Sequence, residues 1–582
     1  MSAPLLDIQD LRIWFEPKGQ ARKRVVDGVS FSVASGDRLA VIGESGSGKT
    51  LAALSVLDLL PQGGRWRGRA TFKGDRLDRL RAPQRRVLRG GKIGIVFQDA
   101  LAAFNPLRTV GSVLVESARR HGGLTPLQAK RKAVALLGEL GVPEPDARFS
   151  SYPHQLSGGL RQRAMIALAL INDPDLLIAD EPTTALDATI QAQILDLLKA
   201  RSQDKALIFI THDLVAAARL CDRAILMRHG RIVETGALPD MFEAPRSDYG
   251  RALVAASPAF ADWDRHTEDP SPASPALTGT ALSKRYKVKS GTLHALRDVS
   301  ISVGADDNIA IVGESGCGKS TLAKILVGMI RPDDGTVLLN GTRVCDGGAE
   351  SRAALRAFVQ FVFQDPYSSL DPHWPVIRTV AEPLMATGEH DRATALDRAA
   401  QALLQVGITE DAHHRRPRAF SGGQRQRIAI ARALVARPKV LVADEPLSAL
   451  DMTIQKSIVD LLLDLRKRFG LGIVMVSHDL DLVAQVSDRV IVMYLGQIVE
   501  QGPAHAVIAA PRHHYTAALL AASKGAASVR GDVPSPVDLP AGCAFAGRCA
   551  GADDRCRTQT PPITQVDGGH SFACWNPKGA AS

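Results

Sequence analysis

Five short motifs occur twice, in the same order and at nearly constant separation, and this duplication constrains the chain more than any other feature. Gly43-Glu44-Ser45-Gly46-Ser47-Gly48-Lys49-Thr50 returns as Gly313-Glu314-Ser315-Gly316-Cys317-Gly318-Lys319-Ser320, an offset of 319 − 49 = 270. Val96-Phe97-Gln98-Asp99 returns as Val362-Phe363-Gln364-Asp365, and Ser157-Gly158-Gly159 returns as Ser421-Gly422-Gly423. Ala179-Asp180-Glu181-Pro182 returns as Ala443-Asp444-Glu445-Pro446, and His212-Asp213-Leu214 as His478-Asp479-Leu480. These four offsets are 266, 264, 264 and 266. One domain of roughly 250 residues, a normal size for a single core, is therefore used twice. The expected layout is a first domain over 1–256, a Pro-, Ser-, Ala- and acid-rich tether over 257–278, a second domain over 279–525, and a cysteine-bearing extension over 526–582.

Each half reads as α/β. Apolar runs with strand character, Leu39 to Ile42 and Ile309 to Val312, lead into the glycine-rich motif. Similar runs precede the Asp-Glu pair (Leu176 to Ala179, Val440 to Ala443) and the histidine (Leu207 to Ile210, Ile473 to Val476). Ala- and Leu-rich segments such as Leu160 to Ile171 and Ile190 to Lys199 have helical periodicity between them. Strands that carry functional residues at their C-terminal ends, alternating with helices, imply a largely parallel sheet.

The chemistry that such motifs serve is phosphate chemistry. In Gly-x-x-x-x-Gly-Lys-Thr/Ser, the glycines Gly43, Gly46 and Gly48, like Gly313, Gly316 and Gly318, let the backbone curl so that its N–H groups, with Ser45 and Ser315, face phosphate oxygens. Lys49 and Lys319 would reach the β- and γ-phosphates of ATP, and the hydroxyls of Thr50 and Ser320 would hold Mg²⁺. Asp180 and Asp444 end buried strands where a carboxylate can hold the same ion, and Glu181 and Glu445 stand where a base can polarise an attacking water. His212 and His478, ending the next strand, would contact a γ-phosphate. Ser157-Gly158-Gly159 and Ser421-Gly422-Gly423 sit just before helices, so each half carries a second anion-binding helix start with serine as its cap.

Composition narrows the setting. The chain has 582 residues, 45% hydrophobic and 23% charged, as ordinary globular proteins do, and no apolar run reaches the ~20 residues that would cross a bilayer. Met1 to Asp10 lacks the layout of a secretion signal, so a cytoplasmic protein is expected. The net charge of +10 comes from Arg and Lys scattered without a block, which reads as a solvated basic surface and not a nucleic-acid tract. Of seven cysteines, Cys543, Cys549, Cys556 and Cys574 crowd into the last segment. Zinc, an iron-sulfur cluster, disulfides or free thiols are all compatible with that clustering, disulfides being disfavoured in cytoplasm. Cys317, within the phosphate loop, is expected to be simply a small tolerated residue, the alternative being a pKa lowered by the helix start that would leave it modifiable.

Taken together, the motifs resemble those of the ATP-binding cassette (ABC) family, and the resemblance covers nearly the whole chain. They correspond to its Walker A, Q-loop, signature (Leu156-Ser157-Gly158-Gly159 and Phe420-Ser421-Gly422-Gly423), Walker B, D-loop (Ala185-Leu186-Asp187 and Ala449-Leu450-Asp451) and switch-histidine motifs. The fold implied is two tandem P-loop NTPase nucleotide-binding domains, each with an α-helical subdomain, plus the short cysteine-containing extension. The resemblance implies that Gln98 and Gln364 sense Mg²⁺ and the γ-phosphate, and that Phe15 and Tyr286 stack on adenine. It also implies intramolecular head-to-tail pairing of the halves, Lys49 working with Ser421 and Lys319 with Ser157.

Phe97-Gln98-Asp99-Ala100 with Asn105-Pro106, and Phe363-Gln364-Asp365-Pro366 with Ser369-Leu370-Asp371-Pro372, resemble the oligopeptide/dipeptide/nickel importer branch. Leu160 replaces the glutamine usual after the signature glycines, as that branch often has it, so no dead site is inferred. The branch implies an ATPase that powers import through two separate integral-membrane permease subunits, fed by an extracytoplasmic binding protein, with this chain peripheral on the cytoplasmic side of the plasma (inner) membrane. Di- or oligopeptides are the first expected cargo, with nickel complexes, glutathione or opine-like solutes behind. The tail resembles the C-terminal extension of such ATPases, which implies a 4Fe-4S cluster on Cys543, Cys549, Cys556 and Cys574, with zinc as the alternative. A soluble translation factor or repair ATPase is the rival from another class. The short acidic, Pro-rich linker argues against the first, and the lack of coiled-coil or zinc insertions against the second.

Overall fold

The computed structural model describes residues 4–579 apart from 17–21, 185, 258–275, 289–290, 345–347, 389, 449, 481, 483–485, 525–528, 530 and 532. The chain divides into two compact units, Met1–Leu186 with Ile190–Ala261, and Asp262–Ser582 with Asp187–Thr189. Most of the expected tether, and the alanines of both D-loops, lie outside the described residues. At the tether's far end the structure differs from expectation. Leu277 and Thr278 already pair with Val303 and Ser302, because their neighbours continue the alternation of a sheet strand.

In the first unit, strands β1 (Leu6–Phe15), β2 (Lys23–Val33), β4 (Gly64–Phe72) and β5 (Asp75–Arg76) form an antiparallel sheet in the order β2-β1-β4-β5. A second sheet contains β3 (Arg38–Ile42), β6 (Ile93–Val96), β7 (Leu176–Asp180), β8 (Ala206–Thr211), β9 (Arg223–Arg228) and β10 (Arg231–Ala237). Its order is β10-β9-β3-β8-β7-β6, parallel except for the β9–β10 hairpin. The β7 and β8 runs are buried at every position, which is why they read as unbroken apolar sequence. Ile8, Leu11, Leu39, Ile178 and Ile208 share the core between the two sheets.

Alongside stand helices 110–122, 126–139 and 158–170. The 126–139 helix starts on a Thr125–Gln128 capping box with Pro126 at its first position, where a missing N–H costs nothing. These helices are the α-helical subdomain of the half.

The second unit repeats the plan. β11 (Leu277–Val288), β12 (Gly291–Val303), β14 (Asp334–Leu339) and β15 (Thr342–Arg343) form its antiparallel sheet. The other sheet contains β13 (Asn308–Val312), β16 (Val359–Val362), β17 (Val440–Asp444), β18 (Gly472–Ser477), β19 (Arg489–Tyr494) and β20 (Gln497–Pro503). It continues past β20 into β22 (His570–Phe572) and β21 (Thr564–Val566), both from the cysteine extension. The extension is thus built into the second half's sheet. Glu500 and Gln501 pair with Phe572 and Ser571, and the fully buried Glu500 carboxylate takes a 2.7 Å contact from His570 Nε2. Inside the extension, the Arg555 guanidinium lies 3.4 Å over the Trp575 ring, and the indole N–H donates to Gln559 O at 3.1 Å.

Two glycines at matched positions anchor the phosphate loops from below. Gly230 and Gly496, with φ of +77° and +79°, turn β9 into β10 and β19 into β20. Gly230 N donates to Ser47 O at 3.1 Å and Gly496 N to Cys317 O at 2.9 Å. A Cβ on Gly230 would sit 2.2 Å from Val25 O, backbone that cannot swing aside. Gly230→Ala combines that clash with a left-handed φ, and should destabilise the first half by roughly 1–3 kcal/mol. A urea midpoint lowered in that half's transition, at unchanged slope, checks it.

Candidate functional site

In each half the central parallel strand, β3 or β13, is flanked by parallel neighbours on both sides, so the loop after it opens at the point where strand order reverses. Gly48 and Gly318 cap the following helices at φ of +96° and +105°, a backbone conformation that L side chains avoid. The loop closes on its lysine. Lys49 Nζ donates to Gly43 O at 2.6 Å and Glu44 O at 2.9 Å, and Lys319 Nζ to Gly313 O at 2.7 Å and Glu314 O at 3.0 Å. Both lysines are buried, so each ammonium is fixed at the loop's centre with its hydrogen-bonding directions set by backbone.

The next positions bring in the carboxylates. Thr50 Oγ1 donates to Asp180 Oδ1 at 2.8 Å, and Ser320 Oγ to Asp444 Oδ1 at 2.9 Å. Hydroxyl and carboxylate side by side are the hard oxygen donors that Mg²⁺ prefers, so these pairs fit the ion expected of them. Burial pushes the Asp180 carboxyl up to about 6, with neighbouring Glu181 adding to the rise and the Thr50 hydrogen bond opposing it. Asp444 is raised by burial in the same way.

Glu181 and Glu445 follow with φ of +43° and +47°, conformations that non-glycine residues adopt at a cost of about 1–3 kcal/mol. Each strained turn presents its carboxylate to a glutamine and a histidine, and in the first half to a threonine as well. Gln98 Nε2 donates to Glu181 at 2.8 Å, His212 Nδ1 lies 3.4 Å from it, and Thr184 Oγ1 donates at 3.1 Å. In the second half Gln364 Nε2 donates to Glu445 at 2.7 Å and His478 Nδ1 lies 3.7 Å away. Burial works to raise both glutamates, but the histidine's hydrogen bond and charge, with the loop lysine, outweigh it and hold each below its ordinary value. Burial conversely lowers His478, and the Glu445 hydrogen bond and charge reverse that to leave it raised. The structure therefore brings Lys, Thr or Ser, Asp, Glu, Gln and His together in both halves.

Phe15 and Tyr286 occupy equivalent register positions, Phe15 opposite Lys23 and Tyr286 opposite Leu293. Ser157 and Ser421 cap the helices 158–170 and 422–434, each accepting from the backbone three residues on. The caps differ in one respect. Gln424 Oε1 accepts from Ser421 N at 3.1 Å and completes a capping box that Leu160 cannot make. Leu160→Gln should complete it, raising first-half stability by about 0.5 kcal/mol as read from the denaturation midpoint.

Cys317 is buried, as a small residue tolerated in the loop would be, and burial raises its thiol more than the Lys319 charge lowers it, opposite to the alternative of a lowered pKa. The tail cysteines are all unbridged. Burial raises each thiol, Cys574 to about 11, and nearby thiols add to the rise in all four. The four are thus neighbours, yet among the described residues no three His, Cys, Asp or Glu side chains stand as a metal-holding group.

Sequence reasoning missed the tyrosines that fasten the loops. Tyr249 Oη accepts from Glu44 N at 2.9 Å and Tyr515 Oη from Glu314 N at 2.8 Å.

A profile of the ABC transporter family matches residues 26–184 and 296–448, and one for the oligopeptide/dipeptide transporter C-terminal region matches 499–556. The glutathione import ATP-binding proteins GsiA of Escherichia coli (strain K12) and Shigella dysenteriae serotype 1 are each 41% identical to this chain over 559 residues, with 89% of both chains covered. That of Pectobacterium atrosepticum is 40% identical over 556 residues with the same coverage. Two complete sets of phosphate-loop, carboxylate and histidine residues, carried by a chain this similar to those proteins along its length, place it in the ABC transporter family, with both ATP-binding cassettes in one polypeptide.

Proposed function

We propose that the chain is the double ATPase subunit of an importer for peptides or peptide-like solutes, acting through separate permease subunits. The observation that carries this reading is the presence of both catalytic sets in one chain that also matches the oligopeptide/dipeptide transporter C-terminal region. Glutathione is the first cargo to test, since the similar curated proteins are glutathione import ATP-binding proteins. Di- and oligopeptides, nickel complexes and opine-like solutes follow.

Lys49 and Lys319 bind and orient the nucleotide's phosphates, Thr50, Asp180, Ser320 and Asp444 hold the metal, and Glu181 and Glu445 take a proton from the attacking water. Mg²⁺ bound there would neutralise charge on the phosphate oxygens. His212 and His478 fix their glutamates, and Gln98 and Gln364 link those glutamates to the segments that follow. The two sites are completed when the halves pair intramolecularly, each signature serine serving the other half's phosphates.

No described helix is long and apolar enough to cross a membrane, so the pore is assigned to two integral-membrane permease subunits. A cavity of about 730 Å³ in the second half, lined in part by Met329, Arg331, Phe361, Phe363, Ser368 and Arg432, suits a short permease helix. Phe363 in its wall is the residue before Gln364, so nucleotide-driven movement of that segment would pull on the helix seated there. The chain would then be peripheral, on the cytoplasmic side of the inner membrane, with an extracytoplasmic binding protein delivering cargo and no nucleic acid bound.

Co-expression with the permease tests the assignment, since the chain should then fractionate with membranes; sedimentation with ribosomes instead would overturn it. Calorimetry of the partner binding protein against glutathione, dipeptides and nickel decides the cargo. For Cys543, Cys549, Cys556 and Cys574, the proposed occupant is a 4Fe-4S cluster, with zinc as alternative. The match to the oligopeptide/dipeptide transporter C-terminal region over 499–556 is what supports it; among the described residues the four thiols do not stand as a metal-holding group, and no catalytic step passes through it. Anaerobic purification with iron and sulfide assays checks it, and colourless protein with stoichiometric zinc would sink it.

A further inference from the structure

The second phosphate loop has a tether that comes from the cysteine extension. Arg548, in the short helical turn Ala546–Arg548 between Cys543 and Cys549, points its guanidinium at Glu314, the second residue of the loop. Arg548 Nη1 donates to Glu314 Oε2 at 2.6 Å and Nη2 to Oε1 at 2.8 Å, a two-pronged pair whose side chains are 4% and 1% exposed. Tyr494 Oη, at the end of β19, accepts a further bond from Nη1 at 3.2 Å. The same glutamate gives its amide to Tyr515 and its carbonyl to Lys319 Nζ. All three polar groups of Glu314 are thereby engaged, and one of them holds the lysine that meets the nucleotide.

The first loop is built differently. Glu44 gives its amide to Tyr249 and its carbonyl to Lys49, as in the second half, but its residue is only partly buried. The position of Tyr494 is taken by Arg228, whose guanidinium lies 5.1 Å over the Tyr249 ring. The sequence contains the extension once, after the second half.

We propose that Arg548 is a positioning residue for the second ATP site: through Glu314 it sets the phosphate loop and Lys319, so that the extension governs nucleotide affinity in the second half and leaves the first untouched. A bidentate, desolvated Arg–carboxylate pair fixes both distance and orientation, which a single hydrogen bond does not. The proposal rests on the ATPase reading above and adds an asymmetry to it.

The test uses the full chain, a photoreactive ATP analogue, and cleavage in the tether to separate the labelled halves. Labelling of both halves in the unaltered chain is what the ATPase reading itself requires, so its failure would be distinct from failure at Arg548. Arg548→Met should raise the half-saturating concentration for the second half about tenfold and change the first by less than twofold. Arg548→Lys, which keeps the charge but loses the fork, should fall between. Equal weakening of both halves, or an unchanged second half, would overturn the proposal. Removing one partner of a buried pair leaves a stranded charge that can unfold the region by itself. The double variant Arg548→Met with Glu314→Gln removes that charge at similar volume, so it should recover the melting temperature while second-half affinity stays about tenfold weak. Affinity recovering together with stability would show Arg548 to be structural only.

Discussion

Glu181→Gln and Glu445→Gln should each lower kcat for ATP hydrolysis sharply, by about 10²–10⁴-fold at the altered site, while ATP binding survives. The amide keeps the shape of the carboxylate and an oxygen to accept from Gln98 or Gln364, whose bonds measure 2.8 and 2.7 Å. What it loses is the ability to accept a proton from water as the nucleophile attacks, and general-base contributions are of this size. The glutamates are suited to that task because the histidine partner and loop lysine keep them ionised despite burial. Their carboxylates bond to glutamine, histidine and, in the first half, threonine side chains, and these contacts do not shape the phosphate loop, so the nucleotide's half-saturating concentration should change little. Single-turnover assays on each variant separate binding from chemistry. Full turnover in either variant would remove that glutamate from the base role.

The loop, carboxylate and histidine side chains that the structure brings together were legible from sequence because a motif of this kind is local. A strand, a glycine-rich turn and a helix start must follow one another within a few residues, and the buried strands β7 and β17 that carry Asp180 and Asp444 announce themselves as apolar runs. Duplication then separated motif from coincidence. Long-range supports were not legible. Tyr249 and Tyr515 look like ordinary helix residues, as Gly230 and Gly496 look like ordinary turn residues, although both pairs recur at an offset of 266 that a fuller comparison of the halves would have exposed. Arg548 offered no such signal. It lies 234 residues from Glu314 in a segment with no repeat, and only folding brings the two charges together. The strands β21 and β22 were hidden for a related reason: at three residues each they carry too little alternation to be read.

Asp180→Asn should stabilise the nucleotide-free first half at pH 7.5 and abolish its metal-dependent gain from ATP. The Asp180 carboxyl is 4% exposed and beside Glu181, and burial raises it from 3.8 to about 6. A carboxyl that holds its proton more tightly when folded favours the folded state at low pH. That advantage is lost as pH rises from about 4 through 6, because the unfolded chain ionises first and the folded chain must then bury a charge. Above pH 6 the charge costs on the order of 2–3 kcal/mol relative to a permanently neutral side chain. Asparagine avoids that cost while keeping an Oδ1 for the Thr50 hydroxyl, which now donates at 2.8 Å. Melting in EDTA should therefore favour the variant at pH 7.5, by a margin that shrinks below pH 6 and vanishes near pH 4. With Mg²⁺ and ATP the order should reverse, since only the unaltered carboxylate supplies the anionic oxygen that makes nucleotide binding metal-dependent and so stabilises the folded state. A variant less stable than the unaltered chain in EDTA at pH 7.5, or one that gains as much from Mg²⁺ and ATP, would show that Asp180 is held for packing and not for the metal.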